Sequence, residues 1–456
     1  MFSIKSLFPA VTKAEWTRQV VADLKGKPVE SLKRLTPDGL ETEPFYTNED
    51  LAQLPLATNQ QSQQTGRSLG WLNVPGVRFE TESETNTVLR TGLTKGADGF
   101  LLDLTEAKTE EIQWSRLLHG LKLSDTPVWF RVDGQSENVA MALKQILPYQ
   151  LKGGIVDEPV SRSLQSGTHP DAALAQMAEA TRLTLDSPHF RTITVGSTVF
   201  HNAGATATQE LAFTLNSVVE VFDHLTNAGL TMEQLIPKTA LTVSVGTSYF
   251  TEIAKLRALR ILWQRLLLHY SIFDRVGGPI RYSIFIHAQT STFYDATATP
   301  YNNLLRATTE AMSAVIGGCD ALTVHPYDTV FGEPDEFSTR IARNISILLK
   351  EEAHLDKTLD PSAGSYYLET LTNELVESAW ALFLDIEKRG GLLKATESGF
   401  VPGELEKAYQ AKVEAVKNGR ILVGVTKFRV DEEVRVAKPV KFFETLPVLR
   451  LPQEFE

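Results

Sequence analysis

Ala240-Leu-Thr-Val-Ser-Val245 and, a short way downstream, Glu252-Ile-Ala-Lys-Leu-Arg-Ala-Leu-Arg-Ile-Leu-Trp263 decide how this chain is read. The first is a short run with β-branched residues, the length of a buried strand. The second sets Ile253, Leu256, Leu259, Trp263 and Leu267 on one side, because residues three or four apart share a helical face. Strand then helix is one unit, and the unit recurs. Apolar runs stand at 70–74, 99–104, 127–132, 154–156, 191–196, 240–245, 281–287 and 321–324, eight in all. Helical stretches lie between them, such as 209–225 with Leu211, Leu215, Val218, Phe222 and Leu225 in register. Glycines close several of these, at Gly96, Gly120, Gly229 and Gly317. Eight such units in a row predict an α/β fold, a (β/α)8 TIM barrel over residues 68–355. A doubly wound open sheet is the alternative. It usually has fewer strands and a glycine-rich first turn, which residues 70–77 do not supply.

The flanks read differently. Residues 1–67 form an N-terminal arm, with an amphipathic stretch at 13–24 that stops at Lys25-Gly-Lys-Pro28. An extended polar run follows through Pro44-Phe45-Tyr46, and 57–69, rich in Thr, Gln, Ser and Asn, reads as a loop. Such an arm has too little apolar surface to fold alone and must lie on its own barrel or on a partner. After an eighth helix at 336–354, residues 356–420 predict a helical extension packed on the barrel, with one helix over 369–389. Residues 421–456, rich in Val and Lys and broken by Pro439, Pro447 and Pro452, read as an extended linker.

Composition excludes some functions. Apolar residues make up 42% and charged residues 22% of 456, ordinary for a globular protein. The net charge of −11 argues against a nucleic-acid partner. Cys319 is the only cysteine, so no intramolecular disulfide or cysteine-based zinc site is available; it reads as a small buried side chain. No stretch reaches the ~20 apolar residues of a membrane span, and the first residues have no long apolar core. These features predict a cytoplasmic protein with no membrane and no metal.

Several motifs, in order, carry a family resemblance. They are Asn202-Ala-Gly-Ala-Thr-Ala-Thr-Gln-Glu-Leu-Ala-Phe-Thr-Leu215, the 252–263 helix, His287-Ala-Gln-Thr-Ser291, Pro300-Tyr-Asn-Asn-Leu-Leu-Arg-Ala-Thr-Thr-Glu-Ala-Met312, Phe337-Ser-Thr-Arg-Ile-Ala-Arg-Asn344 and Asp360-Pro-Ser-Ala-Gly-Ser-Tyr-Tyr367 with its continuation to Leu375. Together they resemble the barrel of the methylmalonyl-CoA mutase family. Phe8-Pro9, Glu15-Trp16 and Asp23-Leu-Lys-Gly-Lys27 look like the arm of the small subunit of its two-subunit members. The resemblance implies a carbon-skeleton rearrangement in which adenosylcobalamin supplies a radical and the barrel encloses a CoA thioester.

Carried over position by position, the resemblance breaks where chemistry is done. Catalytic chains of the family have Trp-x-Ile-Arg-Gln-Tyr-Ala-Gly-Phe after the first strand. Matching Trp71 and Phe79 puts Val74 at the arginine and Gly76 at the tyrosine that packs on the acyl group. After the fifth strand, Val199 in Thr198-Val-Phe-His-Asn-Ala-Gly-Ala205 stands where the family has the histidine that donates to the thioester carbonyl. Valine cannot donate, and losing such a contact typically costs ~10²–10³ in rate. His201 lies two residues on; if the segment is extended, alternation puts it on the face of Val199. His287 and Gln289 are kept after the seventh strand. After the eighth, Asp328 is kept, His325 replaces an asparagine, and Thr329 replaces the glutamate that contacts the adenosyl ribose. His201, His287, Gln289, His325 and Asp328 are therefore expected as a vestigial polar pocket at the barrel mouth. Arg162 and Arg182 read as solvated. The cobalt-ligating pattern Asp-x-His-x-x-Gly does not occur in the sequence, and 421–456 is expected to lead toward an absent cobalamin-binding domain.

These departures predict a non-catalytic small-subunit-like chain, without a tightly bound cofactor of its own. It would pair as a heterodimer with a mutase large subunit, the adenosylcobalamin lying on that partner, or form a homodimer in isolation. A split mutase with its cobalamin domain on a separate chain explains the missing motif but not Gly76 and Val199. A barrel recruited to bind another acyl-CoA, or an accessory protein, is the third reading.

Overall fold

A computed structural model describes residues 11–36, 39–270, 282–430, 435–439, 443 and 445–456. Its strands are β1 (Arg34–Leu35), β2 (Glu41–Thr42), β3 (Leu72–Asn73), β4 (Gly76–Arg78), β5 (Phe100–Asp103), β6 (Val128–Arg131), β7 (Lys152–Val156), β8 (His189–Arg191), β9 (Ile193–Gly196), β10 (Thr239–Val245), β11 (Phe285–Thr290) and β12 (Ala321–Thr323). Apart from the β1–β2 hairpin, they form two five-stranded sheets in the orders β3-β12-β11-β10-β9 and β4-β5-β6-β7-β8. Every pairing in both sheets is parallel. Each expected apolar run overlaps a strand, with boundaries that differ by a few residues; Arg281, the start of the seventh, lies outside the described residues.

The sheets share two strands of the chain. β3 and β4 are one extended stretch interrupted at Pro75. The Val74 N–H pairs with Leu322 O at 2.9 Å on one side, and Pro75 O accepts from the Leu101 N–H at 3.1 Å on the other. Proline lacks the N–H that would continue the ladder. β8 and β9 are likewise split at Thr192, whose hydroxyl turns outward to Thr181 at 2.8 Å. This arrangement is consistent with a TIM-barrel-like domain.

Long helices cover the outer faces. The Ala207–Asn227 helix starts on a capping box of Thr206 and Gln209, and the Tyr249–His269 helix is buried along most of its length. Leu211, Leu215, Val218, Phe222, Leu256, Leu259 and Trp263 join one large core with the outer faces of β9 to β12. A second core lies outside β5 to β8, around Phe100, Phe130, Leu143 and Phe190. Each fully buried Leu or Phe there contributes about 1.5–3 kcal/mol. The glycine that turns the chain after the Asn302–Gly317 helix is Gly318, at φ +92°, not Gly317. Gly317 instead permits close approach of the Tyr249–His269 helix, since a Cβ there would lie 3.0 Å from Leu256.

Two expectations are corrected. Residues 57–69 are not simply loop: a helix runs Leu56–Gln64, with Asn59, Ser62 and Gln63 buried. It lacks apolar periodicity because it docks through amides. Gln63 Nε2 donates to Arg257 O at 3.0 Å, and Gln60 Nε2 to Glu369 at 3.0 Å. The tail is not an extended linker over its described residues. Leu446 and Leu451 are buried, the Leu449 N–H donates to Asn202 O at 2.7 Å, and the Leu451 N–H to Phe293 O at 2.9 Å. The helices Tyr366–Lys388 and Phe400–Lys417 pack on the domain, within the span expected to be helical. Among the described residues no helix is long and apolar enough to cross a membrane.

Candidate functional site

Alternation along the strands decides which side chains face inward. On β6, Val128 and Phe130 join the outer core, so Trp129 and Arg131 point the other way. On β11 the inward set is Phe285, His287 and Gln289. β6 and β11 belong to different sheets, yet these side chains meet. The Trp129 ring stacks on Phe285 at 5.5 Å, and the Arg191 guanidinium lies 4.2 Å over the other ring partner, Phe285. Val74, Leu101, Val156 and Ala321 complete this inner cluster.

Above it, toward the C-terminal strand ends, the interior turns polar. His287 Nε2 lies 2.8 Å from Thr323 Oγ1, whose own proton goes to Val74 O at 2.6 Å. His287 is therefore the donor through Nε2, and its buried Nδ1 has no hydrogen-bond partner among the described residues. Burial, with Arg131 and His325 nearby, pushes its pKa down to about 3, so it is neutral. Arg131 donates to Gln289 Oε1 at 3.1 Å and lies 3.9 Å from Asp103. Burial, and then Arg131, pushes His325 down to about 4. Glu158 accepts from the Thr242 hydroxyl and is raised by burial. Gly196 makes room for it: a Cβ there would sit 2.3 Å from the Glu158 carboxylate. His287, Gln289 and His325 thus gather around Arg131. Sequence reasoning missed Arg131 and Glu158, although both stand at strand C-terminal ends, where barrel side chains reach the mouth.

The other expected pocket residues lie elsewhere. Asp328 is buried, raised by burial, and turned to Ser338 at the start of the Glu336–Glu351 helix. The Thr329 hydroxyl donates to Pro326 O at 2.6 Å. Val199 is packed in the large core. The Thr198–Asn202 segment is a helical turn rather than extended, so His201 does not share the face of Val199. Its Nδ1 lies 2.7 Å from Glu210 and its Nε2 2.7 Å from Ser291. Lys255 lies 2.8 Å from Glu210 and 2.7 Å from Glu252. These four charged or ionisable groups are enclosed between strand ends and helices, apart from the Arg131 cluster. Gly76 is exposed, and a Cβ on it would meet nothing within 4 Å. Arg162 is not simply solvated, since it lies 2.5 Å from buried Asp157. Arg182 donates to the Ala228 carbonyl. Cys319 is buried, and burial pushes its thiol up to about 12. Among the described residues no group of three or more His, Cys, Asp or Glu side chains is placed to hold a metal ion.

The model of the family described as methylmalonyl-CoA mutase matches residues 114–445. This chain belongs to the methylmalonyl-CoA mutase family. It is 34% identical to the methylmalonyl-CoA mutase small subunit of Porphyromonas gingivalis, over 93% of this chain and 70% of that one. Against the small subunit of Streptomyces virginiae the identity is 32%, over 93% and 72%. The large subunit of Porphyromonas gingivalis is 29% identical, over 87% of this chain and 61% of its own length. Methylmalonyl-CoA mutases therefore supply both kinds of relative, with higher identity to the small subunits.

Proposed function

We propose that this chain is a small-subunit-like member of the mutase family, a closed (β/α)8 barrel that performs no turnover itself. It would support a large subunit that isomerises methylmalonyl-CoA and succinyl-CoA with adenosylcobalamin. The observation that carries the reading is the stack of Trp129, Phe285 and Arg191 across the two inner sheet faces. If the sheets close, these rings stand on the axis along which the family threads the CoA tail. Rings in that position stand in the path a CoA tail would take.

Adenosylcobalamin does not fit the residues present. Thr329, at the ribose-binding position, spends its hydroxyl on Pro326 O, and the neighbouring Asp328 carboxyl faces Ser338. Val199, at the position of the thioester hydrogen-bond donor, is buried in aliphatic core. The polar set around Arg131 lacks both a tyrosine wall, because Gly76 leaves that space open, and a hydrogen-bond donor at position 199.

Pairing is supported by the arm. The Lys13–Asp23 helix has no buried residue, and Val11, Val21 and Leu35 are largely exposed. The occurrence of small- and large-subunit relatives in one organism supports a heterodimer. The test is to mix the purified chain with a methylmalonyl-CoA mutase large subunit. A stoichiometric complex by light scattering, with activity lost when the large subunit alone is inactivated, supports the reading. Absence of any complex, or activity that persists with an inactivated large subunit, contradicts it.

A further inference from the structure

Between the arm and the start of the Tyr366–Lys388 helix runs a groove of about 530 Å³, lined by Glu43, Pro44, Phe45, Tyr46 and the 364–367 turn. Phe45, Tyr46, Tyr366 and Tyr367 line it, and further rings pack beside them. Trp16 stacks on Phe45 at 4.8 Å, Tyr46 meets Tyr367 at 5.5 Å, and Tyr367 meets Phe250 edge-on at 5.7 Å. Phe45 is 41% exposed, Tyr366 42% and Phe250 50%. Grouped on one surface, such rings form a contiguous apolar patch, and aromatic residues are enriched at binding surfaces.

Acidic groups outnumber basic ones around the groove, with Glu41, Glu43, Asp50 and Glu374 against Lys13 and Lys33. Glu374 stands two turns beyond Tyr367 on the same helical face. Its Oε2 is buried with no hydrogen-bond partner among the described residues. Burial and the charge of Glu43 raise its pKa. Glu43 shares its one lysine, Lys33 at 3.2 Å, with Glu41 at 2.7 Å. Glu374 has no cation among the described residues. One ring already accepts a positive charge, since the Lys13 ammonium lies 5.8 Å from the Tyr46 centroid. Rings present a negative face to cations, and carboxylates beside them add to that attraction.

We infer that this groove receives a lysine or arginine side chain, flanked by apolar residues, from a partner chain. The ammonium or guanidinium would sit against Tyr46 and Tyr367 and neutralise Glu374, while the apolar flanks cover Phe45, Tyr366 and Phe250. This deepens the reading that the arm faces a partner, and rests on it only for the partner's existence.

The test uses the full chain labelled with 3-fluorotyrosine and the acetylated, amidated tripeptide Phe-Lys-Leu as probe. Resonances are assigned through Tyr46→Phe and Tyr367→Phe. The peptide is expected to shift those two signals, about tenfold more weakly once glutamate or norleucine replaces its lysine. Glu374→Gln is expected to weaken the lysine peptide by a similar factor without changing the norleucine one. Equal response to all three peptides, no shift at Tyr46 and Tyr367, or indifference to Glu374→Gln overturns the inference. Pairing with the large subunit is measured separately, so a large-subunit complex that forms while the peptide fails leaves the functional reading standing and this one refuted.

Discussion

Lys255 is charged and fully enclosed, with Glu210 at 2.8 Å, Glu252 at 2.7 Å and the Ser244 carbonyl at 2.9 Å. Burial works to raise the Glu210 carboxyl, but Lys255 and His201 overcome it and hold it at about 2. Removing Glu210 leaves Lys255 with Glu252 as its remaining counter-charge and His201 without its carboxylate, so Glu210→Gln is expected to cost up to about 3–5 kcal/mol in urea unfolding. Glu210→Gln with Lys255→Met should cost less than the sum of the singles. Because the folded value is depressed, the stability Glu210 contributes is complete above about 4.5 and is lost as pH falls toward 2. Asp295 has the opposite sign. Burial raises it from 3.8 to about 7 despite Arg306 and Arg450, so the fold holds its proton and loses stability as pH rises through that interval. Asp295→Asn is expected to stabilise the chain at pH 8 by about 2–4 kcal/mol, with the gain vanishing near pH 4; a variant equally stable at both would refute this. The identity of such residues was legible in the sequence, but their grouping was not. His201 was placed by assuming an extended backbone, and one helical turn sent it to Glu210 instead.

At the level of elements, apolar periodicity located the strands and the long helices, because burial on one face leaves a period that survives in the sequence. The Leu56–Gln64 helix left no such trace, since Gln60 and Gln63 anchor it by amide hydrogen bonds. The tail was misread for a related reason. Its prolines break every period, while its seating depends on Arg450, which donates to Asp295 O at 2.8 Å and pairs with Glu456 at 2.6 Å. The arm divides at these elements. Residues up to 50 carry the helix without buried residues, and the packed Leu56–Gln64 helix follows. Deleting residues 1–50 is expected to leave the thermal unfolding of the remaining domain nearly unchanged and to weaken assembly with a mutase large subunit, read by light scattering. Equal pairing by the truncated chain would place the interface elsewhere. Inside the domain, Trp129→Ala removes the largest member of the inner stack and is expected to cost about 3–5 kcal/mol; a loss under 1 kcal/mol would mean that the stack does not hold the two sheets together.

At the scale of the whole molecule, the family signature and the replaced positions lie in different places. The motifs that carry the resemblance build helices and strand ends, and these support the same packing whether or not a reaction occurs. Three positions that the resemblance sets among the catalytic ones differ, while His287, Gln289 and Asp328 are kept: Gly76 opens onto empty space, Val199 is core, and the Thr329 hydroxyl donates to Pro326 O. The resemblance, carried over position by position, pointed to these replacements. It did not show that Trp129, Phe285 and Arg191 converge from two sheets, because no local pattern records which inward side chains meet. The central claim is that this chain scaffolds a catalyst and is not one. It is tested most directly by incubating the purified chain alone with saturating adenosylcobalamin and methylmalonyl-CoA, and measuring succinyl-CoA by chromatography. The account predicts no product above the protein-free control, and succinyl-CoA accumulating in proportion to the amount of chain would contradict it.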